Sequence, residues 1–228
     1  MKSILQKIAY FLGSAAYFGG YWLSKSIRTC KPLFLTGYYR PRFRKFGKKS
    51  RISDSFDRLL GAEFISVGDN VHIVGHCNLT AIALFHTERN GATIPVAFSP
   101  SIEIRNGVQI GEYNHITAIG RIEIGENVLT GPHVLITDNS HGGFDADEMA
   151  VAPFRRPLRS KGPVIIEKNV WIGEGAQILP GVTIGEGSII ASNSVVTRNI
   201  PPYCLAAGSP AKVVKRMLPP DPHEPCES

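Results

Sequence analysis

Acidic residues are absent from the first 53 positions of this 228-residue chain, and this absence sets the charge pattern of the whole sequence. Twelve of the 25 Lys and Arg residues precede Asp54, while all 19 Asp and Glu residues lie at Asp54 or beyond. The positive charge therefore belongs to an N-terminal arm, and the mildly acidic remainder argues against a groove that binds nucleic acid. Residues 8–23 carry no charge, yet this stretch is shorter than the roughly twenty residues that a membrane-spanning helix needs.

Cysteine is scarce, and no cysteine or serine lies in a recognisable nucleophile motif. The four cysteines, Cys30, Cys77, Cys204 and Cys226, are scattered without the paired spacing of metal ligands. We therefore expect free thiols and a reducing compartment. No Gly-x-Ser-x-Gly elbow occurs either, so the sequence does not favour chemistry through a covalent acyl-enzyme.

Glycine is abundant, and it accompanies a period of six residues between positions 164 and 196. This period fits neither a helix nor a simple alternating strand, but it fits a flat strand and a turn that form one side of a triangular coil. Three hexapeptides complete one coil, so each aliphatic side chain stacks on its counterpart eighteen residues away. Gly173 and Gly185 permit tight turns, because glycine reaches backbone angles that a Cβ forbids. The aliphatic positions are Ile166, Ile172, Ile178, Ile184, Ile190 and Val196, and the fifth places hold Val170, Ala176, Val182, Ser188 and Ser194.

Six motifs accompany the repeat: Ile65-Ser-Val-Gly-Asp-Asn-Val, Ile124-Gly-Glu-Asn-Val-Leu, Thr137-Asp-Asn-Ser-His141, Asn169-Val-Trp-Ile-Gly173, Leu179-Pro-Gly-Val-Thr-Ile-Gly185 and Gly208-Ser-Pro-Ala-Lys212. Together they resemble the hexapeptide-repeat acyltransferases. Within that family they are most similar to the acetyl-coenzyme A dependent sugar and polysaccharide O-acetyltransferases, relatives of the maltose and galactoside acetyltransferases. The resemblance covers residues 64–217 and implies an all-β fold, a left-handed parallel β-helix, which is an exception to the usual right-handed crossover. One fold hosts many functions, so the repeat specifies the chemistry only loosely.

The sequence predicts three parts: an N-terminal arm over residues 1–51, a β-helix over residues 52–217 and a flexible tail over residues 218–228. The arm contains an apolar helix in residues 4–23, which packs on the fold or on a neighbouring subunit, lies at a membrane interface, or is a removed signal. Its basic run, residues 40–51, is either a solvated connector or a surface for anionic lipid or a phosphate-linked substrate. A short C-terminal helix is predicted to end near Met217.

The six-residue period breaks over residues 81–101 and 138–162 and shifts at Gly120. We expect loops to leave a corner of the coil at both breaks, and such insertions usually carry function or contacts. The first loop lines an acceptor cleft or mediates subunit contacts through Phe85, His86, Glu88 and Arg89. The inward positions before and between the loops are predicted to be Ile65, Val67, Val71, Ile73, Leu79, Ile104, Ile110, Ile116, Ile124, Thr130 and Ile136.

The second loop begins with His141, which lies where the resemblance places the catalytic histidine of the family. Acetyl transfer to a hydroxyl needs a base, and histidine suits that role near neutral pH. The candidates to hold its other ring nitrogen are a backbone carbonyl, Asp138, Asp145, Asp147 and Glu148. The candidate donors to the oxyanion are Asn114, Ser140 and the amides of Gly142 and Gly143.

For the donor, the resemblance implies that acetyl-coenzyme A is the co-substrate and that its pantetheine arm lies in the groove between two β-helices. It therefore also implies a homotrimer. Arg198 and Lys212 match positions where a base meets the phosphates of the coenzyme. Glu174 departs from the small polar residue of the galactoside enzymes. The remaining positions matched to coenzyme contacts are Trp171, Ala191, Ser192 and Thr197.

These features predict an O-acetyltransferase that acts on a sugar hydroxyl of a surface polysaccharide or its precursor by direct transfer in a ternary complex. The expected location is cytoplasmic, with a peripheral contact of residues 1–51 on the inner face of the membrane as an open alternative. A smaller acceptor is the second hypothesis: a free sugar, an antibiotic or a nucleotide-linked amino sugar. Two further classes share the fold, a scaffold without catalysis and a γ-type carbonic anhydrase. We expect no metal, although His72, His76, His115, His133 and His141 could supply imidazoles for the latter class.

Overall fold

The computed structural model of this chain describes residues 29–89, 91–143 and 145–217. The apolar helix predicted in residues 4–23 and the predicted tail from residue 218 lie outside these ranges. Residues 29–39 are helical (α1), Ala146–Met149 form a second helix (α2), and 3-10 turns occupy Arg40–Arg42, Ala62–Phe64 and Pro153–Arg155. The strands are β1 (Lys45–Phe46), β2 (Arg51–Ile52), β3 (Arg58–Leu60), β4 (Ile65–Val67), β5 (His72–Ile73), β6 (Asn78–Ala81), β7 (Leu84–Arg89), β8 (Ala92–Ala97), β9 (Ser101–Ile104), β10 (Gln109–Ile110), β11 (His115–Ala118), β12 (Arg121–Ile124), β13 (Leu129–Thr130), β14 (Leu135–Thr137), β15 (Ser140–His141), β16 (Leu158–Arg159), β17 (Val164–Ile166), β18 (Trp171–Ile172), β19 (Gln177–Ile178), β20 (Thr183–Ile184), β21 (Ile189–Ile190), β22 (Val195–Val196), β23 (Cys204–Gly208) and β24 (Ala211–Arg216).

Three sheets, parallel except at β24, wrap one core. Sheet A contains β1, β4, β9, β12, β17 and β20; sheet B contains β2, β5, β10, β13, β18, β21, β23 and β24; sheet C contains β3, β6, β11, β14, β19 and β22. The chain visits the sheets in the order A, B, C, so each circuit is one coil of a triangular solenoid that pairs with the coils above and below. The prediction of an all-β, left-handed parallel β-helix is confirmed.

The aliphatic positions of the six-residue period form the core. Ile178 and Val196, eighteen residues apart, are register partners in sheet C, and both side chains are fully buried. The inward positions named from the earlier part of the sequence, from Ile65 to Ile136, are buried as well. Burying one large aliphatic side chain contributes about 1.5–3 kcal/mol. The stacked columns of Ile and Val therefore hold consecutive coils together.

Both breaks in the period leave from one corner, between sheet C and sheet A, which we call the C–A corner. The first excursion, between β6 and β9, is the antiparallel hairpin β7–β8. The second, between β14 and β17, contains the antiparallel pair β15–β16 with α2 between its strands. One coil, that of β11, separates the coils from which they leave. The two excursions therefore rise beside each other along one edge of the solenoid.

The two ends of the β-helix differ from the sequence-based expectation. The first coil begins at Lys45, before the expected start at residue 52, because β1 and β2 pair with β4 and β5. The short helix predicted to end near Met217 was wrong: β23 and β24 form an antiparallel hairpin there. The Gly208-Ser-Pro turn reverses the chain, and the free edge of sheet B beside β21 accepts β23 as a further strand.

Candidate active site

The two excursions from the C–A corner contact each other. The hydroxyl of Thr87, a buried residue on β7, donates to the backbone carbonyl of Arg155 at 2.8 Å. The guanidinium of Arg155 in turn pairs with the carboxylate of Glu88 at 2.5 Å. That ion pair is partly exposed, so the buried hydroxyl contact is the firmer one. Together the contacts hold the second excursion against the hairpin.

His141 lies at the base of the second excursion, on β15. Its backbone pairs with Leu158 in antiparallel register, and its exposed imidazole meets the ring of Phe85 edge to face, with centroids 5.6 Å apart. Within residues 29–89, 91–143 and 145–217, no group hydrogen-bonds to either ring nitrogen of His141. An aromatic contact therefore orients this exposed imidazole, and its ring nitrogens have no hydrogen-bond partner among these residues.

The carboxylate of Asp138, three residues before His141, binds backbone amides of the preceding coil. Its fully buried carboxylate accepts hydrogen bonds from the backbone amides of Ile119 at 2.9 Å and Gly120 at 2.7 Å. The side-chain amide of Asn139 donates to the same carboxylate at 3.0 Å. Ile119 and Gly120 form the C–A corner of the preceding coil, where the six-residue period shifts. This geometry favours a positioning role for Asp138, at the corner from which the strand of His141 leaves.

A cavity of about 760 Å³ lies between hairpin β7–β8 and the second excursion. Leu158, the register partner of His141, forms part of its wall, so the cavity borders the strand pair that carries the imidazole. Ile94, Val96 and Val151 add apolar surface. The ionisable groups of the wall are one guanidinium, Arg159, and four carboxylates, those of Glu88, Asp145, Asp147 and Glu148. The wall is therefore amphipathic and carries net negative charge.

Glu148, on α2, connects this helix to Arg159 on β16 and to the loop at Gly143 within the second excursion. It accepts a hydrogen bond from Nε of Arg159 at 2.7 Å, a second bond from Nη2 of Arg159, and one from the backbone amide of Gly143. The bonds from Arg159, and after them the Gly143 amide, hold the pKa of Glu148 below its ordinary value of 4.5. The amide of Gly142 donates to the carbonyl of Pro157 at 2.7 Å. Both glycine amides predicted as oxyanion donors are thus engaged within the loop.

Asn114 lies at the B–C corner, between sheets B and C, and therefore on the opposite edge of sheet C from His141. Its side chain is fully buried, and Nδ2 donates to the carbonyls of Gly111 at 2.7 Å and Gly131 at 3.0 Å, which belong to successive coils. Among the described residues, Oδ1 of Asn114 has no hydrogen-bond partner. Within one chain, the structure does not bring Asn114 to His141.

Four of the predicted coenzyme contacts cluster on sheet B and the B–C corner. Trp171, on β18, is 51% exposed on the outer face of sheet B. Ala191 and Ser192 form the turn after β21, one coil above, and Lys212 is exposed on β24. Gly173 makes room for this turn, because a Cβ at that position would lie 2.6 Å from the backbone nitrogen of Ser192. The indole and the turn therefore border the same strip of surface.

The other two predicted contacts, Thr197 and Arg198, follow β22 at the C–A corner, where both are exposed. This is the corner of His141, with one coil between β14 and β22. A six-residue side of the coil spans at most about 20 Å. Within one chain, sheet C therefore lies between Trp171 and His141. The predicted coenzyme contacts are divided between the B–C side and the C–A corner.

The sequence indicated that Phe85 and Glu88 line an acceptor cleft or mediate subunit contacts, but it did not indicate which groups they contact. Arg155, which pairs with Glu88, and Arg159, which pairs with Glu148, were not singled out from the sequence. The only signal was their position inside a break of the repeat, because no period links the two excursions. The contacts become visible only when both excursions leave the same corner.

In the described part of the chain, no group of three or more His, Cys, Asp and Glu side chains is arranged to hold a metal ion. Tyr113, at the B–C corner, stacks between His76 and His133, with ring centroids 5.2 and 5.0 Å away, whereas His141 lies at the C–A corner. Nor does any helix of this part have the length and apolar character needed to cross a membrane.

Comparison with known proteins finds the same repeat. Residues 163–198 match the family model described as bacterial transferase hexapeptide (six repeats). A protein of Escherichia coli K12, provisionally named a lipopolysaccharide biosynthesis O-acetyl transferase, is 40% identical over 115 residues, which are 49% of this chain and 58% of that protein. Galactoside O-acetyltransferase of the same strain is 35% identical over 136 residues, 57% of this chain and 62% of that protein. The chain thus spans about three fifths of the length of these curated relatives.

A solved structure shows the same fold at lower identity. It is AntD, an N-acyltransferase from Bacillus cereus, in complex with dTDP and 3-hydroxybutyryl-CoA. The TM-score is 0.62 at 21% sequence identity, and the match covers 81% of this chain and 88% of that chain. At this identity the likeness concerns the architecture alone.

Proposed function

We propose that this hexapeptide-repeat protein is an O-acetyltransferase that moves the acetyl group of acetyl-coenzyme A to a sugar hydroxyl of a surface polysaccharide or its precursor. The observation that carries the proposal is the place of His141, an exposed imidazole on the strand pair β15–β16, whose Leu158 lines the cavity between the two excursions. The names of two sequence relatives support the reaction class, since one is provisionally named a lipopolysaccharide biosynthesis O-acetyl transferase and the other is named galactoside O-acetyltransferase.

His141 acts as the general base of a direct transfer. Its unprotonated ring nitrogen accepts the proton of the sugar hydroxyl while the hydroxyl oxygen attacks the thioester carbonyl. The tetrahedral intermediate then collapses with cleavage of the carbon–sulfur bond, and the imidazolium returns the proton to the leaving thiolate. The edge-to-face contact with Phe85 limits rotation of the imidazole. Holding both substrates in this geometry supplies much of the rate enhancement, because it makes a bimolecular step effectively unimolecular.

The cavity beside the β15–β16 pair receives the acceptor sugar. Its volume of about 760 Å³ lies within the range of small-molecule sites. The carboxylates of Asp145 and Asp147 can accept hydrogen bonds from sugar hydroxyls, and Ile94 and Val96 suit the apolar face of a pyranose ring. The net negative wall disfavours phosphate. The reacting sugar is therefore uncharged or cationic, and any phosphate of a carrier lies outside the cavity.

Acetyl-coenzyme A binds between two copies of the chain. In one chain sheet C separates Trp171, on sheet B, from His141, at the C–A corner, so the donor and the base meet at one substrate when neighbouring copies share a groove. A cyclic homotrimer meets this requirement with identical interfaces. Arg198 and Lys212, both exposed, supply positive charge for the coenzyme phosphates. Asp138 and Asn114 act indirectly, by holding the corners at either edge of the sheet.

We place the enzyme in the cytoplasm, where the acetyl donor is supplied. The buried cysteines Cys77 and Cys204 are free thiols, which suits a reducing compartment. Burial raises the pKa of the Cys77 thiol, so it is unreactive at neutral pH and is not a candidate nucleophile.

The test measures coenzyme A release with a thiol reagent for the wild type, His141→Asn and His76→Asn. The acceptor panel contains free sugars, lipid-linked oligosaccharides, antibiotics and nucleotide-linked amino sugars. We expect His141→Asn to lower kcat by about a hundredfold or more while calorimetric binding of coenzyme A is unchanged. His76→Asn is the control, because His76 lies at the B–C corner and not at the corner of His141, and asparagine accepts its left-handed backbone (φ 51°).

Two outcomes would contradict the proposal. Wild-type turnover by His141→Asn would remove the base from the mechanism. Turnover restricted to a nucleotide-linked amino sugar or an antibiotic would show that the acceptor is a small molecule and not a polysaccharide hydroxyl.

A further inference from the structure

One face of α1 fixes this helix on the first coil of the solenoid. The hydroxyl of Thr36 accepts a hydrogen bond from the backbone amide of Ile52 at 2.9 Å. Tyr39 packs edge to face on Phe56, with ring centroids 5.0 Å apart. The backbone of Ile52 belongs to β2 and its side chain is fully buried, so the helix is attached to the core. These contacts fix the orientation of α1, so the helix face opposite Thr36 and Tyr39 points away from the first coil.

The opposite face of α1 is apolar and exposed. Leu33, Phe34 and Tyr38 are 73%, 72% and 55% exposed, and their spacing places them on one stripe of the helix. The rings of Phe34 and Tyr38 stack with centroids 6.5 Å apart and planes 11° from parallel. Contiguous large apolar groups on the surface mark an interaction site more often than chance exposure. Burial of the stripe against a partner would therefore be energetically favourable.

Positive charge borders this apolar stripe. The guanidinium of Arg42 lies over the rings of Tyr38 and Tyr39, 5.3 and 5.8 Å from their centroids. The six other bases between residues 40 and 51 are exposed like Arg42, and in the described part of the chain none of the seven pairs with a carboxylate. We call the stripe together with Arg42 the α1 surface, and the six other bases flank it in the chain, at the end of α1 and in the first coil. The seven bases are Arg40, Arg42, Arg44, Lys45, Lys48, Lys49 and Arg51.

We propose that the α1 surface docks on an anionic lipid bilayer. Leu33, Phe34 and Tyr38 enter the boundary between headgroups and acyl chains, and the bases contact lipid phosphates. An interfacial helix binds by this combination of apolar insertion and attraction between Lys or Arg and anionic lipid. A second copy is the less suitable occupant, because a two-fold contact would oppose two surfaces that carry only positive charge. The proposal is independent of the activity proposed above.

The test is co-sedimentation of the full chain with vesicles of neutral phosphatidylcholine alone or mixed with anionic phosphatidylglycerol. Two single variants are compared, Phe34→Ser and the matched control Phe154→Ser. Phe154 is also a strongly exposed ring, at 67%, and it also lies beside a guanidinium, that of Arg155. Arg42→Gln removes one charge of the α1 surface. Equal urea midpoints for the variants and the wild type show that the fold is retained.

We expect the wild type to bind anionic vesicles more tightly than neutral ones and to lose affinity as salt rises. Phe34→Ser should weaken binding about tenfold or more, because a large apolar side chain no longer inserts. Arg42→Gln should weaken it about fivefold, and Phe154→Ser should leave it unchanged. Vesicle binding needs neither acceptor nor coenzyme, so this result and the turnover assay are read separately.

Wild-type affinity of Phe34→Ser for anionic vesicles would overturn the proposal, as would equal binding of the wild type to neutral and anionic vesicles. A loss of oligomer mass in analytical ultracentrifugation for Phe34→Ser, with vesicle binding unchanged, would assign the α1 surface to a contact between copies instead.

Discussion

The buried carboxylate of Asp138 offers the sharpest test of how the corner beneath His141 is held. It accepts hydrogen bonds from the backbone amides of Ile119 at 2.9 Å and Gly120 at 2.7 Å, and it has no exposed surface. Asp138→Ala would remove the acceptor and leave two corner amides without a partner. The corner and the strand of His141 should then loosen together.

The expected loss follows from the two bonds. A hydrogen bond to a charged acceptor contributes about 1.5–3 kcal/mol, so Asp138→Ala should lower the free energy of unfolding by about 3–6 kcal/mol. This is a large share of the roughly 5–15 kcal/mol by which a domain is stable. Asp138→Asn keeps one oxygen acceptor but turns an NH₂ group toward a backbone N–H. We expect it to cost about half as much.

Urea unfolding followed by circular dichroism, at one protein concentration, measures these losses. Asp145→Asn is the control, because Asp145 is an exposed carboxylate of the same excursion, 3.9 Å from Arg159. Its effect should stay below about 1 kcal/mol. Stability of Asp138→Ala within about 1 kcal/mol of the wild type would refute the reasoning. Collapse of thioester turnover with unchanged stability would instead show that Asp138 orients His141 directly.

Two further predictions concern the loop and the turn beside the predicted coenzyme site. Arg159 and the Gly143 amide lower the pKa of Glu148, so their stabilisation of the loop is present above the ordinary carboxyl pKa and is lost as pH falls through the lowered one. Hydrogen exchange of residues 140–149, corrected for intrinsic rates, should be faster in Glu148→Gln at pH 7, with a difference that shrinks as the pH falls below the ordinary carboxyl pKa of 4.5; a constant difference would contradict this. Gly173→Ala should weaken coenzyme A binding in calorimetry by about tenfold, because its Cβ displaces the backbone of Ser192; unchanged affinity would place the coenzyme elsewhere.

Much of the solenoid was predictable because its rule is local. Every aliphatic residue at the sixth place meets an equivalent residue one coil away, so Ile178 and Val196 are paired by the period itself. The catalytic hypothesis for His141 was also available from its motif. Asp138 was predicted as a catalytic partner from its proximity to His141 in the sequence, but proximity in sequence does not show which groups a side chain contacts. Its carboxylate bonds to the amides of Ile119 and Gly120 in the preceding coil.

The sequence by itself determined the coil, its inward positions and the points at which the chain leaves it, because these follow from a fixed spacing and from hydrophobic burial. Only the tertiary structure decided what surrounds His141. Phe85 meets the imidazole and Arg155 meets Glu88 across two excursions that have no period in common. The same is true of the C-terminal hairpin, since an available sheet edge, and not the local sequence pattern, made β23 a strand. Contacts between irregular segments depend on the corner they share, and that corner exists only once the coils have stacked.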